Sequence, residues 1–258
     1  MAGIDSRYHS VNRWIRLYNE KIEIMIKIEG LSKSFGSFYA LRNIDLEINA
    51  GEFWIIVGPN GAGKTTLLKI IATLSHPSQG KVIINGAISE SDRLKIRRQI
   101  GFIGHQSFLY NNLTAEENLT FYARMYQLTD PKRRIDEILK KVGLEIRKQD
   151  LIRNFSRGMQ QRLSIARALL IDPRIVLLDE PFSGLDQSAI DNFVELFTSL
   201  ISPDRMIIMT THNLQLGLQL SSHFAIISKG KIMQKGSTNT FNLHQFKELY
   251  RRLTEISN

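Results

Sequence analysis

A glycine-rich segment followed by a lysine and two threonines is the first feature that could do chemistry. Residues 58–65 read Gly-Pro-Asn-Gly-Ala-Gly-Lys-Thr, which matches the spacing G-x-x-x-x-G-K-[ST]. The glycines allow backbone N–H groups to curl around phosphate oxygens, and a helix beginning at Lys64 would add a favourable dipole. Lys64 is expected to reach the β- and γ-phosphates, and the Thr65 hydroxyl to bind Mg²⁺. The predicted site for a nucleoside triphosphate comprises Gly58, Pro59, Asn60, Gly61, Ala62, Gly63, Lys64, Thr65 and Thr66.

Two adjacent carboxylates form the second chemical feature. Asp179 and Glu180 follow the apolar run Ile175–Leu178, which is typical of a buried strand. In an open parallel sheet, ligands bind at the carboxyl ends of the strands, where the glycine-rich segment also lies. Asp179 is therefore predicted to hold Mg²⁺, and Glu180 to accept a proton from an attacking water. The pair predicts hydrolysis of the bound triphosphate.

The elements that would position these residues form an α/β pattern from Met25 onward, in which short apolar runs alternate with longer helical ones. Strands are predicted at Ile24–Ile28, Ile44–Ile48, Phe53–Val57, Lys81–Asn85, Ile100–Ile103, Ile175–Leu178, Met206–Thr211, Phe224–Ser228 and Lys231–Gln234. Helices are predicted at Thr114–Leu128, Pro131–Val142, Met159–Leu170 and Phe241–Ile256. Thr114 and Glu117 have the spacing of a capping box, and Gly230 that of a hairpin turn. Because helices interrupt the strands between about residues 90 and 158, we expect an inserted subdomain there.

Composition excludes several classes of protein. The 258 residues suit one domain with an insertion, and no cysteine is present. A disulfide scaffold, a thiolate zinc site and a cysteine nucleophile are therefore excluded. No apolar run approaches the roughly 18 residues of a membrane span. The sequence predicts a cytosolic protein, and its net charge of +9 is compatible with nucleic acid, an anionic membrane face or simply a soluble surface.

These motifs resemble the ATP-binding cassette family from about residue 26 to residue 236. The resemblance implies a P-loop ATPase fold over residues 25–258, with an antiparallel β subdomain and an inserted helical subdomain. It implies that Phe35 stacks on adenine, that Asp186 ends the D-loop of residues 183–186, and that His212 is the catalytic switch histidine. It also implies Mg²⁺ as the cofactor that accompanies ATP.

The signature segment of this family matches residues 155–159, Phe-Ser-Arg-Gly-Met, in place of the usual Leu-Ser-Gly-Gly-Gln. Ser156 and Gly158 are kept and are implied to clamp the γ-phosphate, whereas Arg157 and Met159 depart from the pattern. The Q-loop glutamine of the family corresponds by spacing to His105, with Gln106 directly after it. Either residue could contact the water bound to Mg²⁺ or sense the γ-phosphate.

The family also implies partners. Two cassettes would pack head to tail around two ATP molecules, most simply as a homodimer, at the cytoplasmic face of the inner membrane. Integral membrane subunits would be separate polypeptides. The rival is a soluble cassette ATPase that acts on nucleic acid; it is disfavoured because no long coiled coil and no second P-loop motif is present. We therefore expect no nucleic-acid partner.

Two further features concern cargo and the first residues. The segment from Gly104 to Arg124 is similar to the ATPase subunit of the haem exporter used in cytochrome c maturation. Exporters of drugs, lipids or polysaccharide remain the alternative. Residues 1–24 form an extension in which Val11, Trp14, Ile15 and Tyr18 share one helical face. Either this helix docks on a membrane or partner, or Met25 is the true start, which the cassette pattern favours.

Overall fold

The computed structural model describes residues 25–104 and 107–255, and it confirms the α/β class. Its strands are β1 Met25–Phe35, β2 Phe38–Asn49, β3 Phe53–Val57, β4 Gln79–Ile84, β5 Ala87–Ile88, β6 Ile100–Ile103, β7 Ile175–Asp179, β8 Met206–Thr210, β9 His223–Ser228 and β10 Lys231–Ser237. Its helices are α1 Lys64–Ile71, α2 Arg93–Arg97, α3 Ala115–Met125, α4 Pro131–Lys141, α5 Arg157–Leu169, α6 Gln187–Leu200, α7 Leu214–Leu220 and α8 Leu243–Glu255. The predicted extension 1–24 lies outside the described residues.

The strands form two sheets. The smaller is antiparallel with the order β2-β1-β4-β5, and the larger has the order β10-β9-β3-β8-β7-β6. Within the larger sheet β9, β3, β8, β7 and β6 run parallel, and only β10 is antiparallel, paired with β9 through the predicted hairpin. β1 is longer than predicted because its pairing with β2 continues through polar residues across several register shifts.

Both faces of the larger sheet are covered. The odd-numbered residues of β3, such as Ile55, join a core with α3 to α8, while Trp54 and Ile56 face the core shared with α1 and the smaller sheet. All five residues of β3 and of β7 are buried, as expected for strands with helices or a second sheet on both sides. Burial of the strands on both faces holds their carboxyl ends in fixed positions.

Local capping determines where several helices begin. Thr114 Oγ1 accepts from the Glu117 N–H at 3.1 Å and Glu117 Oε2 accepts from the Thr114 N–H at 2.8 Å, which confirms the predicted capping box of α3. Asp130 caps α4, which has proline in its first turn. Such caps are each worth about 1 kcal/mol.

The helical region between β6 and α5 contains α3, α4 and two short 3₁₀ turns, Glu145–Arg147 and Ile152–Asn154. The stretch of about residues 90–158 that we expected to be an insertion also contains β6, which pairs in parallel with β7 in the larger sheet. Within that stretch the short helix α2 therefore precedes β6, and the longer helices α3 and α4 follow it. Within residues 25–104 and 107–255, no helix combines the length and the apolarity needed to cross a membrane.

Candidate functional site

The candidate site lies at the carboxyl edge of the parallel strands. β3 ends at Val57, β7 at Asp179 and β8 at Thr210, and the three strands are adjacent in the sheet. The segments that leave them carry the P-loop (residues 58–65), Glu180 and His212. One edge therefore gathers residues that are up to 154 positions apart, as the rule for open α/β sheets predicts.

The P-loop needs glycine at positions where other parts of the chain approach its backbone. A Cβ atom at Gly58 would overlap the carbonyl oxygen of Ile227 in β9. Gly63 has φ of +107°, and a Cβ there would overlap the carbonyl oxygen of Ala40 in β2. The turn of the β9–β10 hairpin supports the same loop, because the Gly230 N–H donates to Ala62 O at 3.1 Å. Strands β2 and β9 and the β9–β10 turn thus hold the loop in place.

Lys64 holds its ammonium group against the P-loop backbone. Its Nζ donates to Gly58 O at 2.7 Å and to Pro59 O at 3.1 Å. Burial lowers the pKa of Lys64, and the negative charges of Glu180 and Asp179 act in the opposite direction. No side chain caps the N-terminus of α1, and its first turn contains no acidic residue. A bound phosphate group would be a negatively charged partner for both the Lys64 ammonium and the N-terminus of the helix dipole.

Thr65 and Asp179 form the predicted metal site. Thr65 Oγ1 donates to Asp179 Oδ1 at 2.9 Å, and Thr210 Oγ1 donates to the same oxygen at 2.8 Å. Asp179 is 3% exposed, and no ion pair to a lysine or arginine neutralises it among the described residues. A hydroxyl and a carboxylate oxygen fit Mg²⁺, which takes one or two protein oxygens and completes its shell with phosphates and water. Within the described residues no cluster of three acidic, histidine or cysteine side chains offers a full protein cage.

Glu180 and His212 lie together beside this metal site. His212 Nε2 is 3.0 Å from Glu180 Oε1, and the His212 N–H donates to Glu180 Oε2 at 3.2 Å. Glu180 has a φ of +52°, which lies in the left-handed region that residues other than glycine rarely adopt. Its N–H donates to both the carbonyl and the hydroxyl of Thr210, which holds this conformation. Such local strain is concentrated at functional sites.

The signature segment, residues 155–159, lies at the start of α5. Ser156 is the N-cap of α5, and its Oγ accepts from the Met159 N–H at 3.3 Å. Gly158 faces open space. Among the described residues, no hydrogen bond or ion pair joins Ser156 or Gly158 to Lys64 or Asp179. Within one chain, contacts of the side chains and backbone therefore join the P-loop to the carboxylates, and the signature residues make no such contact with Lys64 or Asp179.

Arg157, the first departure from the family pattern, lies against the D-loop. A Cβ on Gly184 would come within 2.8 Å of the Arg157 guanidinium, and Gly184 has φ of +72°. Asp186 caps α6, with its Oδ1 accepting from the Ala189 N–H at 2.8 Å. The signature segment and the D-loop of one chain are thus neighbours.

The last predicted site residues are the aromatic residue expected at adenine and the two candidates for the Q-loop. Phe35 ends β1 and is 57% exposed, and Lys33 Nζ lies 4.9 Å from the centre of its ring. The ring is therefore accessible to an adenine base, although its role stays a prediction. His105 and Gln106 lie outside the described residues.

Sequence reasoning missed two parts of the site. Thr210 bridges Asp179 and Glu180, and the only signal for it was its position at the end of a strand that pairs with β7. Gly230, predicted only as a hairpin turn, supports the P-loop across the sheet. Both contacts depend on the order of the strands.

A phosphate-binding loop and a carboxylate pair at the edge of a mainly parallel sheet are the combination found in P-loop nucleotide hydrolases. The family described as ABC transporter matches residues 41–183 of this sequence. The chain belongs to that family, and it is an ABC-type ATPase subunit.

Known proteins of this kind resemble the chain over most of its length. It is 35% identical over 201 residues to the ABC transporter ATP-binding protein NatA of Bacillus subtilis (strain 168), across 77% of this chain and 82% of NatA. The dimeric ATP-binding cassette MJ0796, in a post-hydrolysis state bound to ADP and Pi, has a TM-score of 0.76 and 32% identity, covering 84% of this chain and 100% of that one. For cbiO1 of Clostridium perfringens, part of the ABC transporter complex cbiONQ, the TM-score is 0.76 at 25% identity, covering 90% and 94%.

Proposed function

We propose that two copies of this chain bind ATP between them, head to tail, and that closure of the dimer drives export through separate membrane-spanning subunits. The observation behind this proposal is that, among the described residues, no hydrogen bond or ion pair joins Ser156 or Gly158 to Lys64, Asp179 or Glu180. A second chain would supply the missing signature residues. The ADP-bound and Pi-bound dimer of the related cassette MJ0796 supports this arrangement.

ATP binding uses groups that already point into the loop. The triphosphate takes the place of the Gly58 and Pro59 carbonyls as partner of the Lys64 ammonium, and the free N–H groups at the start of α1 donate to its oxygens. The exposed Phe35 ring stacks on adenine. Thr65 and Asp179 would hold Mg²⁺, which supplies neutralisation of charge on the β- and γ-phosphates when it is bound.

Hydrolysis needs a base beside the γ-phosphate, and we assign that role to Glu180. Its carboxylate takes a proton from water as the water oxygen attacks the γ-phosphorus and the bond to the β–γ bridging oxygen breaks, leaving ADP and phosphate. His212, 3.0 Å from Glu180 Oε1, orients that carboxylate. The partner's signature segment places a serine hydroxyl and a glycine N–H on the same γ-phosphate, so ATP favours the closed dimer and hydrolysis releases it.

A complementation experiment tests the head-to-tail arrangement. Lys64→Ala removes the phosphate cation and Gly158→Asp blocks the signature surface, so each variant alone should be inactive. When the two are mixed, one site of the heterodimer combines an intact P-loop with an intact signature, and ATPase activity should return in part. Activity that stays absent after mixing, with both variants folded, would show that each chain completes its own site.

Membrane subunits are expected to dock beside α3. A groove of about 550 Å³ there is lined by Leu113, Glu116, Glu117, Thr120, Phe121, Arg124 and Met125. The rings of Phe121 and Tyr110 meet edge to face, with their centres 5.1 Å apart, and both residues are a little under half exposed. This surface combines apolar and charged groups and lies in the part of the helical region that follows Leu109. Docking there would place the complex at the cytoplasmic face of the membrane.

Haem for cytochrome c maturation is the cargo that we propose. The support is the similarity of residues 104–124 to the ATPase subunit of that exporter, because this segment contains part of the docking surface and so reports on the membrane partner. NatA is not named for haem, and the ATP site, common to the family, cannot discriminate between cargoes.

Disruption of the gene tests the cargo. Covalent c-type cytochromes should disappear while b-type haem proteins persist, because haem synthesis is untouched. The wild-type gene should restore them, and a Lys64→Ala copy should not. Normal c-type cytochromes in the disrupted strain would overturn the haem assignment in favour of a drug, lipid or polysaccharide, while the ATPase assignment would stand.

A further inference from the structure

Arg157 is a cation in the signature segment to which the reaction described above gives no role. It stands where the family usually has glycine, between Ser156 and Gly158, and it is the first residue of α5. Within residues 25–104 and 107–255, its side chain makes no hydrogen bond and no ion pair. The five N–H groups of its guanidinium therefore have no acceptor in that part of the chain.

The helix that begins at Arg157 adds to the positive charge. The first turn of α5 contains no acidic residue, and the start of a helix carries the positive end of its dipole. A guanidinium at this end of a helix is repelled by the dipole, whereas an anion is attracted by the guanidinium and the dipole together. The charges around Arg157 therefore favour the binding of a negatively charged group.

The D-loop supports the guanidinium of Arg157 by one face. A Cβ placed on Gly184 would lie 2.8 Å from Cζ, 2.8 Å from Nη1 and 2.9 Å from Nη2 of Arg157. Because the three distances are nearly equal, this position lies over the plane of the guanidinium and not beside its edge. The lack of a side chain at Gly184 leaves the space that the guanidinium fills. Its N–H groups lie in the guanidinium plane, so contact through one face leaves them available to a ligand.

The two neighbours of Arg157 in sequence are the residues to which the proposed function assigns the γ-phosphate. Ser156 and Gly158 of one chain would contact the γ-phosphate of the ATP bound by the other chain, and Arg157 lies between them. A planar guanidinium donates two parallel hydrogen bonds to phosphate oxygens, which a glycine at this position could not do. Charge spread over the γ-phosphate oxygens in the transition state is stabilised when a second chain supplies an arginine.

We propose that Arg157 is a further catalytic residue, whose guanidinium donates to the γ-phosphate oxygens of the ATP held by the partner's P-loop. These oxygens supply the negative charge that the first turn of α5 lacks, and Gly184 supports the guanidinium while its donors bind them. The inference rests on the proposed head-to-tail dimer. It needs neither haem nor any membrane subunit, so it can be tested on the purified full chain.

Substitution of Arg157 tests the catalytic role. Arg157→Gly restores the usual signature residue, and it should lower kcat by about 10- to 100-fold, since Ser156 and Gly158 still contact the phosphate. The Kd for ATP should stay within about threefold of wild type, while trapping of ADP by vanadate, which mimics the transferring phosphoryl group, should fall with kcat. Arg157→Lys keeps the charge without the planar fork and should lie between the two. An unchanged kcat in Arg157→Gly would overturn the proposal.

Free guanidinium ion gives a readout that a purely structural role of Arg157 would not move. At about 50 mM, far below denaturing concentrations, guanidinium chloride should partly restore the kcat of Arg157→Gly by occupying the vacated space over Gly184. Sodium chloride at the same concentration should not, which separates this effect from that of ionic strength. Lys64→Ala should be rescued by neither salt. Absence of rescue in Arg157→Gly, together with normal vanadate trapping, would overturn the proposal.

A change at Gly184 tests the support of the guanidinium while Arg157 is kept. Gly184→Ala would place a methyl group in the space that the guanidinium fills, so it should lower kcat, and by less in the Arg157→Gly background than in wild type. Gly86→Ala is the matched control, because Gly86 also has a positive φ, +77°, but a Cβ there has nothing within 4 Å. It should change stability and leave kcat within about twofold of wild type. Equal effects of Gly184→Ala in both backgrounds would contradict the supporting contact.

Mixing of variants separates this proposal from the dimer on which it rests. In a heterodimer of Arg157→Gly with Lys64→Ala, one site combines an intact P-loop with an intact Arg157 of the other chain. Its ATPase activity should therefore exceed the sum of the two variants measured apart. The pair Lys64→Ala and Gly158→Asp is the reference. If the reference pair recovers activity and the Arg157 pair does not, the proposal fails and the dimer stands; if the reference pair stays inactive, both fail.

Discussion

Thr65 Oγ1 donates a 2.9 Å hydrogen bond to Asp179 Oδ1 across 114 residues of sequence. The two oxygens are brought together because β3 and β7 both pair with β8 and run parallel to it, so that the segments at their carboxyl ends meet. Thr210, at the end of β8, donates to the same carboxylate oxygen. The pair is the basis for the first prediction.

Asp179→Asn should weaken Mg²⁺ binding without unfolding the site. The amide oxygen can still accept from Thr65 and Thr210, but the negative charge that favours a divalent cation is lost. We expect the Mg²⁺ concentration for half-maximal ATPase activity to rise by about 10- to 100-fold. A magnesium titration at saturating ATP measures it. Asp92→Asn, at an exposed position, is the control, and an unchanged midpoint in Asp179→Asn would contradict the metal assignment.

Lys64→Ala should abolish high-affinity ATP binding and turnover, because the phosphates lose the cation that Gly58 and Pro59 hold in place. Equilibrium binding of a fluorescent ATP analogue and steady-state hydrolysis report the two losses. Lys69→Ala removes an exposed lysine from the last turn of the same helix and should behave as wild type. Normal hydrolysis by Lys64→Ala would refute the P-loop assignment.

Glu180→Gln should retain ATP binding but slow turnover by roughly 10²–10⁴, the usual contribution of a positioned base. Without hydrolysis the closed dimer should persist, so size-exclusion chromatography with Mg²⁺ and ATP should show twice the mass of the ATP-free protein. Glu195→Gln, on α6, provides a control carboxylate. A Glu180→Gln chain that stays monomeric with ATP and turns over normally would contradict both roles.

Gly58→Ala should damage the P-loop itself. The new methyl group would overlap the carbonyl oxygen of Ile227, a backbone atom of a central strand that cannot move away cheaply. We expect a loss of stability of a few kcal/mol and a matching loss of ATP affinity. Gly236→Ala is the control, since a Cβ there meets only the Phe224 ring, at 3.5 Å. Thermal unfolding of the two variants side by side measures the difference.

Glu52 should contribute a pH-dependent part of the stability. Burial opposes the shift, but hydrogen bonds from Asn49 and Trp54 hold the pKa of Glu52 below its ordinary 4.5. Between the lowered pKa and 4.5 the folded chain binds fewer protons than the unfolded chain. The carboxylate therefore stabilises the fold fully above that range, and this contribution is lost as the pH falls through the lowered pKa.

Comparison of Glu52→Gln with wild type checks this expectation. The variant should be less stable at neutral pH and should lose less stability on acidification, as measured by urea unfolding at several pH values. Glu47→Gln, on the exposed face of β2, should leave the pH profile unchanged. Parallel profiles for Glu52→Gln and wild type would show that Glu52 does not contribute in this way.

Features that depend on short spacings were predictable from the sequence. The P-loop follows β3 directly, the α3 capping box joins residues three apart, and the hairpin turns at Gly230, as predicted. The helices α6 and α7 were not predicted, although Asp186 and Asn213 cap them. Each capping residue stands in or next to a motif, and we interpreted those motifs by their chemistry. The helix start that each cap marks was therefore overlooked.

Contacts between distant parts of the chain were decided only by the tertiary structure. Three such contacts join residues far apart in sequence. The Thr210 hydroxyl donates to Asp179, the Gly230 N–H donates to the P-loop, and the Arg167 guanidinium lies near two aromatic rings. The residue types that bind a triphosphate are set by local spacing, because a phosphate-binding loop is a few residues long. Which side chains support that loop depends on strand order and helix packing, and these result from burial of the whole chain.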